Sequence, residues 1–475
     1  MSFFFKKFPT TTHFGTAFRI TQLLLVCVWI FTAPTNLFWK ILPNFGFVSG
    51  LQIDYLIPKL YLSDIVGLAI VGTWFWQVWQ EKVLGRKFKN FQLTKAVLSK
   101  ISLLLIPYNL LFTTCCSLFI VYQFFTPLPI TAFWFLASLL LHGTTLLVVM
   151  SWVHQNRSLF FQKMLISVLT LTIVFQATLG MYQFVQQRQL VGFLLWGEPQ
   201  LTRDLGLSKG NFASMDQVTG SHLGLRILPY GTTPHPNVLA GFLAIGILIL
   251  LRFMLKISMN PLEKVLIGLG IGIGAMTLAL TLSLSALLTL LIGILMIGYD
   301  SQFKFLKIKN ITLNKQFINV WQKKSKLILL GILILTPFGL HGLNTLTHHN
   351  APSLFRRDFL NQAAVKLFIK QPVFGVGLNQ FTVAIAKGPQ NQKETVSFVQ
   401  PAHYITLLFP TENGLLGIGI LFLLYRSLCK TFPSSLSVLG KHVWVILPII
   451  CLDHYFYTLT VGHSIFALGL FFLFL

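Results

Sequence analysis

The feature that most constrains this chain is a succession of apolar runs, each near twenty residues long and almost free of charge. About 20 apolar residues cross the hydrocarbon core of a bilayer as a helix. A helix also satisfies its own backbone groups, which an open strand in lipid does not. Such runs are read at residues 18–38, 61–80, 101–124, 130–152, 159–182, 237–256, 263–281, 283–299, 327–345, 404–425, 443–459 and 461–475. The expected fold is therefore all-α, one polytopic membrane domain over residues 1–475 with about 12 transmembrane helices. The seventh and eighth runs are nearly continuous and part only at Thr281-Leu282-Ser283.

Charge supports this reading. Only 10% of the 475 residues are charged and 54% are hydrophobic, whereas a soluble domain carries about 25% charge. The net charge of +24 would suggest a nucleic-acid partner on a soluble chain. Here the basic residues gather in short loops, as at Lys82, Arg86, Lys87, Lys89, Lys95 and Lys100, and again at Lys304, Lys307, Lys309 and Lys315. That is the positive-inside pattern, so a bilayer is the expected partner and nucleic acid is not. It places the N- and C-termini in the cytoplasm. Lys6 and Lys7 precede no small-residue cleavage site, so the first run is read as a retained span. The five cysteines, Cys27, Cys115, Cys116, Cys429 and Cys451, sit in or beside apolar runs and imply no disulfide framework.

Two polar segments, 183–236 and 346–403, then fall on the outer side. The second lies between the ninth and tenth runs and is long enough to form a lid. It holds a predicted amphipathic helix from about Leu354 to Gln371, with Phe359, Ala363, Leu367 and Phe368 on one face, suited to the membrane surface. Pro372 stops that helix, and Gly375 and Gly377 follow in a turn.

Five short constellations carry polar chemistry near the outer face. Pro234-His235-Pro236-Asn237 opens the sixth run. It reads as a helix cap, or as a helix N-terminus open to an anion, with Arg226 upstream. The hydroxyls of Thr281-Leu282-Ser283-Leu284-Ser285 can bond backbone carbonyls. The paired Arg356-Arg357 can anchor to lipid phosphate or fork onto a diphosphate. His403 begins the tenth run and is either a cap or a general base. Glu412 would then lie about two and a half turns deeper on the same helix. It is a buried acid that needs a partner, whether structural or in a site. Acids at Ser63-Asp64 and Asp453-His454-Tyr455 also fall near the outer side, the first with helix capping as its simplest role.

Read in order, these pieces resemble the O-antigen ligase and polymerase superfamily. The residues that carry the likeness are His235-Pro236-Asn237 and Thr281-Leu282-Ser283, then Arg357, Ala363-Ala364 and Pro372-Val373-Phe374-Gly375-Val376-Gly377. His403 and Glu412-Asn413-Gly414-Leu415-Leu416-Gly417 complete it. The match spans roughly residues 226–420. The family's arginine after Ser283 is Leu284 here, and its asparagine after the histidine is Tyr404.

The resemblance implies a bacterial cytoplasmic-membrane glycosyltransferase with an exoplasmic active site and no cofactor. Its donor would be a polyprenyl-diphosphate-linked glycan, and its acceptor a hydroxyl of a glycan, lipid or protein. His403, Arg357 and Glu412 are the expected catalytic residues. Arg356, Arg226, His235 and Asn237 are expected around the donor diphosphate. No Asp-x-Asp pair stands in either outer loop, so arginine rather than a metal is expected to meet the diphosphate. Two other readings stay open: a transporter or flippase of lipid-linked sugars, and a cell-wall glycan polymerase.

Overall fold

The computed structural model describes residues 13–84, 111–155, 158–190, 192–201, 207–211, 225–308, 352–387, 399–431 and 445–474. The expected run at 327–345, the first half of the run at 101–124, and parts of both outer segments lie outside these residues.

Helices dominate. In chain order they are α1 (His13–Thr32), α2 (Leu62–Leu84), α3 (Leu111–Gln123), α4 (Pro129–Gln155), α5 (Leu159–Gln186), α6 (Pro236–Lys256), α7 (Pro261–Leu280) and α8 (Leu284–Ile308). They continue with α9 (Pro352–Lys370), α10 (Phe381–Ala386), α11 (Ile405–Thr431), α12 (445–452), α13 (Tyr455–Thr458) and α14 (Thr460–Phe474). Among the described residues six helices are long and apolar enough to cross a membrane: α2, α4, α5, α6, α7 and α11. Shorter apolar helices fall at Phe18–Thr32, Leu111–Gln123, Leu284–Ile297 and Thr460–Phe472. Large apolar side chains face outward along them, such as Leu24, Phe75, Leu171, Leu269 and Leu295. That is the surface lipid covers.

Local chemistry explains several ends. Ser158 caps α5 by accepting from the Phe161 N–H, and Gln187 closes it in the left-handed region. α7 opens with a capping box between Asn260 and Glu263 and with Pro261 in the first turn. Lys163 donates to Glu263 at 2.8 Å and so ties α5 to α7. The split between the seventh and eighth runs is present, since Leu282 takes φ +55° between α7 and α8. Thr281 Oγ1 donates to the Leu278 carbonyl at 2.6 Å there, the local backbone bonding expected of these hydroxyls.

α6 is the central helix. It packs against α5, α7, α8 and α14 and is buried along nearly its whole length from Pro236 to Phe253. A second apolar cluster joins α4, α9, α10 and α11 through Phe135, Leu360, Ala364, Phe381 and Leu408. The amphipathic helix is thus seated with Leu360 and Ala364 on α11, and Phe359, Ala363 and Leu367 pack at the rim of that cluster.

Three departures from the sequence reading concern interruptions. Short antiparallel pairs decorate the loops: β1 (Phe38–Lys40) with β4 (Lys59–Tyr61), β2 (Phe47–Val48) with β3 (Leu51–Gln52), and β5 (Lys209–Asn211) with β6 (Leu225–Ile227). The run at 404–425, expected as one continuous helix, is broken inside α11, where Gly414 sits at φ +62°, ψ −167°. The run at 443–459 likewise stops at Asp453-His454 before the single turn α13.

Candidate functional site

The expected residues divide into one assembled group and two outliers. The group forms where α9, the start of α6, the approach to α11 and the break after α12 converge. Arg357 is its hub. The guanidinium's charge reaches His235, His403, Tyr404, Asp453 and His454. Arg356 also acts on His403. Three segments far apart in the chain thus converge on one cation of a fourth, α9.

His403 stands just before α11 with its side chain half-buried. Its ring meets that of His454 edge to face, with centroids 5.1 Å apart. Burial, followed by His454, Arg357, His235 and Arg356, holds its pKa well below the ordinary histidine value. The imidazole is therefore neutral, with a lone pair free to take a proton. Its buried Nδ1 has no hydrogen-bond partner, so nothing in the fold occupies that atom.

His235 does cap α6. Its Nδ1 accepts from the Asn237 N–H at 3.1 Å, and its Nε2 lies 2.9 Å from Ser208 Oγ on the approach to β5. An acceptor at Nδ1 places the proton on Nε2. Protein surrounds the ring although its surface stays accessible, which marks it as lining a recess. Desolvation, and then Arg357, push its pKa down to about 4. Asn237, the second residue of α6, donates to Asp453 Oδ2 at 2.8 Å. Asp453 Oδ1 in turn accepts from the His454 N–H at 3.1 Å, and His454 Nδ1 lies 2.6 Å from Thr458 Oγ1. Asp453 and His454 were visible in the sequence as an acid and an imidazole near the outer side. They carried no assigned role because only the break after α12 turns them toward Arg357.

Glu412 belongs to a different network. Its carboxylate accepts from the Phe381 N–H at 3.2 Å and from the Tyr457 hydroxyl at 2.8 Å. Asn413 Nδ2 donates to the same Tyr457 oxygen at 2.8 Å. Around it, the turn after α9 and the break in α11 interlock: the Val376 and Gly377 N–H groups donate to the Thr411 and Glu412 carbonyls, and the Leu415 and Leu416 N–H groups to the Pro372 and Val373 carbonyls. A Cβ on Gly375 would lie 2.5 Å from the Glu412 carbonyl oxygen. The two glycine motifs are thus halves of one joint. Arg226 lies apart too, directed at the Phe184 and Val185 carbonyls at the end of α5. Leu284, where the family carries arginine, is exposed.

The assembled group is a recess holding cationic guanidinium, neutral imidazole and a hydrogen-bonded carboxylate. No family model matches the chain, and no curated protein matches it.

Proposed function

We propose that this chain is a membrane glycosyltransferase that moves a glycan from a polyprenyl-diphosphate donor to an acceptor hydroxyl on the outer face of a bacterial cytoplasmic membrane. The observation that carries the reading is the coupling of Arg357 to His403 in one recess, with Arg356 beside them. In the proposed step the glycosyl C–O bond to the diphosphate breaks and its electron pair leaves with the phosphate. The acceptor oxygen forms the new C–O bond, and its proton passes to His403. Guanidinium groups aimed at the diphosphate stabilise the charge that develops there. The diphosphate's negative charge also offsets the arginines that depress His403, so donor binding raises the basicity of the imidazole when it is needed. Asn237 and Asp453 fix His454 and the mouth of α6 around that recess. Glu412 is assigned to the joint and given no chemical step. The acceptor is a glycan, a lipid or a protein hydroxyl.

The test is transfer from a polyprenyl-diphosphate glycan in reconstituted vesicles. His403→Ala is expected to lower it about 10²–10⁴-fold, the usual contribution of a general base, while the protein inserts normally. Wild-type transfer by that variant overturns the reading. The breaks in α11 and after α12 favour one rival, a transporter of lipid-linked sugars, because interrupted helices frame substrate sites in such proteins. Donor flux across the vesicle without any new glycosidic bond identifies it.

A further inference from the structure

A second polar cluster lies inside the helical bundle, on α2, α4 and α14. Asp64 and His142 are both nearly fully buried, at 4% and 3% exposure. Asp64 Oδ1 lies 3.5 Å from His142 Nε2 and has no hydrogen-bond partner. Its Oδ2 accepts from the Tyr61 N–H at 2.9 Å. His142 Nε2 lies 2.8 Å from Ser464 Oγ and 3.3 Å from the Thr460 carbonyl. Ser464 Oγ donates onward to Ser63 Oγ at 3.1 Å. His463 follows, its Nδ1 3.1 Å from Ser138 Oγ and its Nε2 2.8 Å from the Tyr457 carbonyl. Gly67 lets α2 approach α4 here, since a Cβ on it would lie 2.9 Å from Thr145 Oγ1.

The groups facing the pair are Tyr61 and Ser63 from the first turn of α2 and β4, Ser138 and Thr145 from α4, and Thr460, His463 and Ser464 from α14. Lys59, the nearest cation along β4, is engaged with Asp54 instead. Among the described residues no fixed positive charge therefore balances Asp64. An uncompensated carboxylate in an apolar bundle is expensive, and proton relays are among the roles that intramembrane acids and histidines serve. A contact that only tied helices together would be met by asparagine as well as by aspartate.

A cavity of about 40 Å³ adjoins this cluster and is lined by Tyr55, Lys59, Tyr61, Asn379, Thr458 and Thr460 among others. One water needs about 10–15 Å³ of such space, so roughly three fit. The lining is polar on both flanks. Thr460 belongs to the Asp64–His142 cluster through its carbonyl, while Thr458 bonds His454 of the recess described above.

We propose that Asp64 and His142 form an intramembrane proton-binding pair, loaded and emptied through this cavity with Thr460 at its threshold. Loading takes one proton from hydronium in the cavity, which reverts to water, and turns the carboxylate and neutral imidazole into a single protonated pair. The site does not rest on the transferase reading.

Infrared titration of the purified protein in lipid tests this. A carboxylic-acid C=O band that shrinks as the pH is raised is expected, with one component of it missing in Asp64→Asn and retained in Asp64→Glu. His142→Gln is expected to move its midpoint by about one pH unit or more, the size of a partner's contribution of about 1.4 kcal/mol. Thr460→Val is expected to slow hydrogen–deuterium exchange of the band without removing it. A band of unchanged size in Asp64→Asn, or no titrating band in the wild type, overturns the proposal. If Asp64→Asn does not fold, an unmoved midpoint in His142→Gln overturns it equally. Because the readout is a band and not turnover, it stands or falls apart from the His403→Ala result.

Discussion

Two helices of this protein are interrupted, and the interruptions are opposites. The break at Gly414 in α11 closes on itself. Val376, Gly377, Leu415 and Leu416 each donate across the joint, and Glu412 accepts from both Phe381 and Tyr457. The break at Asp453-His454 is bonded at its own side chains, with Asn237 and the His454 N–H on Asp453 and Thr458 on His454, but it is open in that it leaves neighbouring polar atoms over. Beside it the His403 Nδ1 and the Tyr455 hydroxyl are buried without hydrogen-bond partners. Unpaired buried polar groups cost about 1–3 kcal/mol each. A fold that satisfies one break and leaves the other wanting has spent stability at the second, which is where a ligand can repay it. The difference separates a joint from a site, although the resemblance in sequence places both motifs in the same machinery.

The largest expected effect sharpens this contrast on the open side. His403→Ala should lower glycan transfer about 10²–10⁴-fold, or about 2.7–5.4 kcal/mol of barrier, with thermal stability unchanged. On the closed side the order reverses. Gly414→Ala forces a side chain into a conformation nearly reserved for glycine, and against the Val373 carbonyl. It should cost at least about 1–3 kcal/mol of stability, seen as a lowered melting temperature and poor membrane yield. A Gly414→Ala protein that melted like the wild type would erase the distinction between the two breaks.

Glu412→Gln divides the two readings of that acid. It leaves the Tyr457 hydroxyl or the Phe381 N–H short of an acceptor, so a loss of about 1–3 kcal/mol in stability is expected. The fraction that folds should transfer at close to the wild-type rate. A kcat lowered a hundredfold in a normally stable protein would move Glu412 into the site. The pH profile probes the open side. His403 works as a neutral base, and its pKa is depressed by burial and by its cationic neighbours. Activity should therefore hold as the pH falls through the ordinary histidine value of about 6.5 and be lost only below it. An acid limb at or above that value in kcat/KM for the donor, which reports the free enzyme, would contradict the depressed imidazole.

How much of this was legible beforehand differs between fold and site. Apolar runs announce helices because lipid demands about 20 residues of them, and the start of α6 at Pro236 and the split at Leu282 both follow from local residues. The breaks were not legible. Pro410 and the polar Thr411-Glu412-Asn413 precede Gly414, yet mean hydropathy over a span's length carries a helix straight through it and through Asp453-His454. What opens them is a tertiary demand: the turn at Gly375 to Gly377 needs the Thr411 and Glu412 carbonyls as acceptors, and α6 presents Asn237 to Asp453. His403, Arg357, His235 and Asn237 were found from their residue types and order. Asp453 and His454 were seen as polar residues near the outer side without a role, and Glu412 was grouped with His403 by the family resemblance although it lies about two and a half turns deeper.

The smallest predicted effect concerns Arg226, one of the cations expected around the donor diphosphate. Its guanidinium donates to the Phe184 and Val185 carbonyls and lies over the Phe184 ring, 5.8 Å from its centroid. Those carbonyls belong to the last turn of α5, whose free C=O groups attract positive charge. A cation there is worth about 0.3–1 kcal/mol. Arg226→Ala should therefore lower the melting temperature slightly and leave KM for the donor and kcat where they are. Arg357→Ala sets the scale for the comparison, since its charge reaches five residues of the recess. Should Arg226→Ala raise the donor KM tenfold, the recess must extend from Arg357 to β6, and the open break at Asp453-His454 would be only its inner wall.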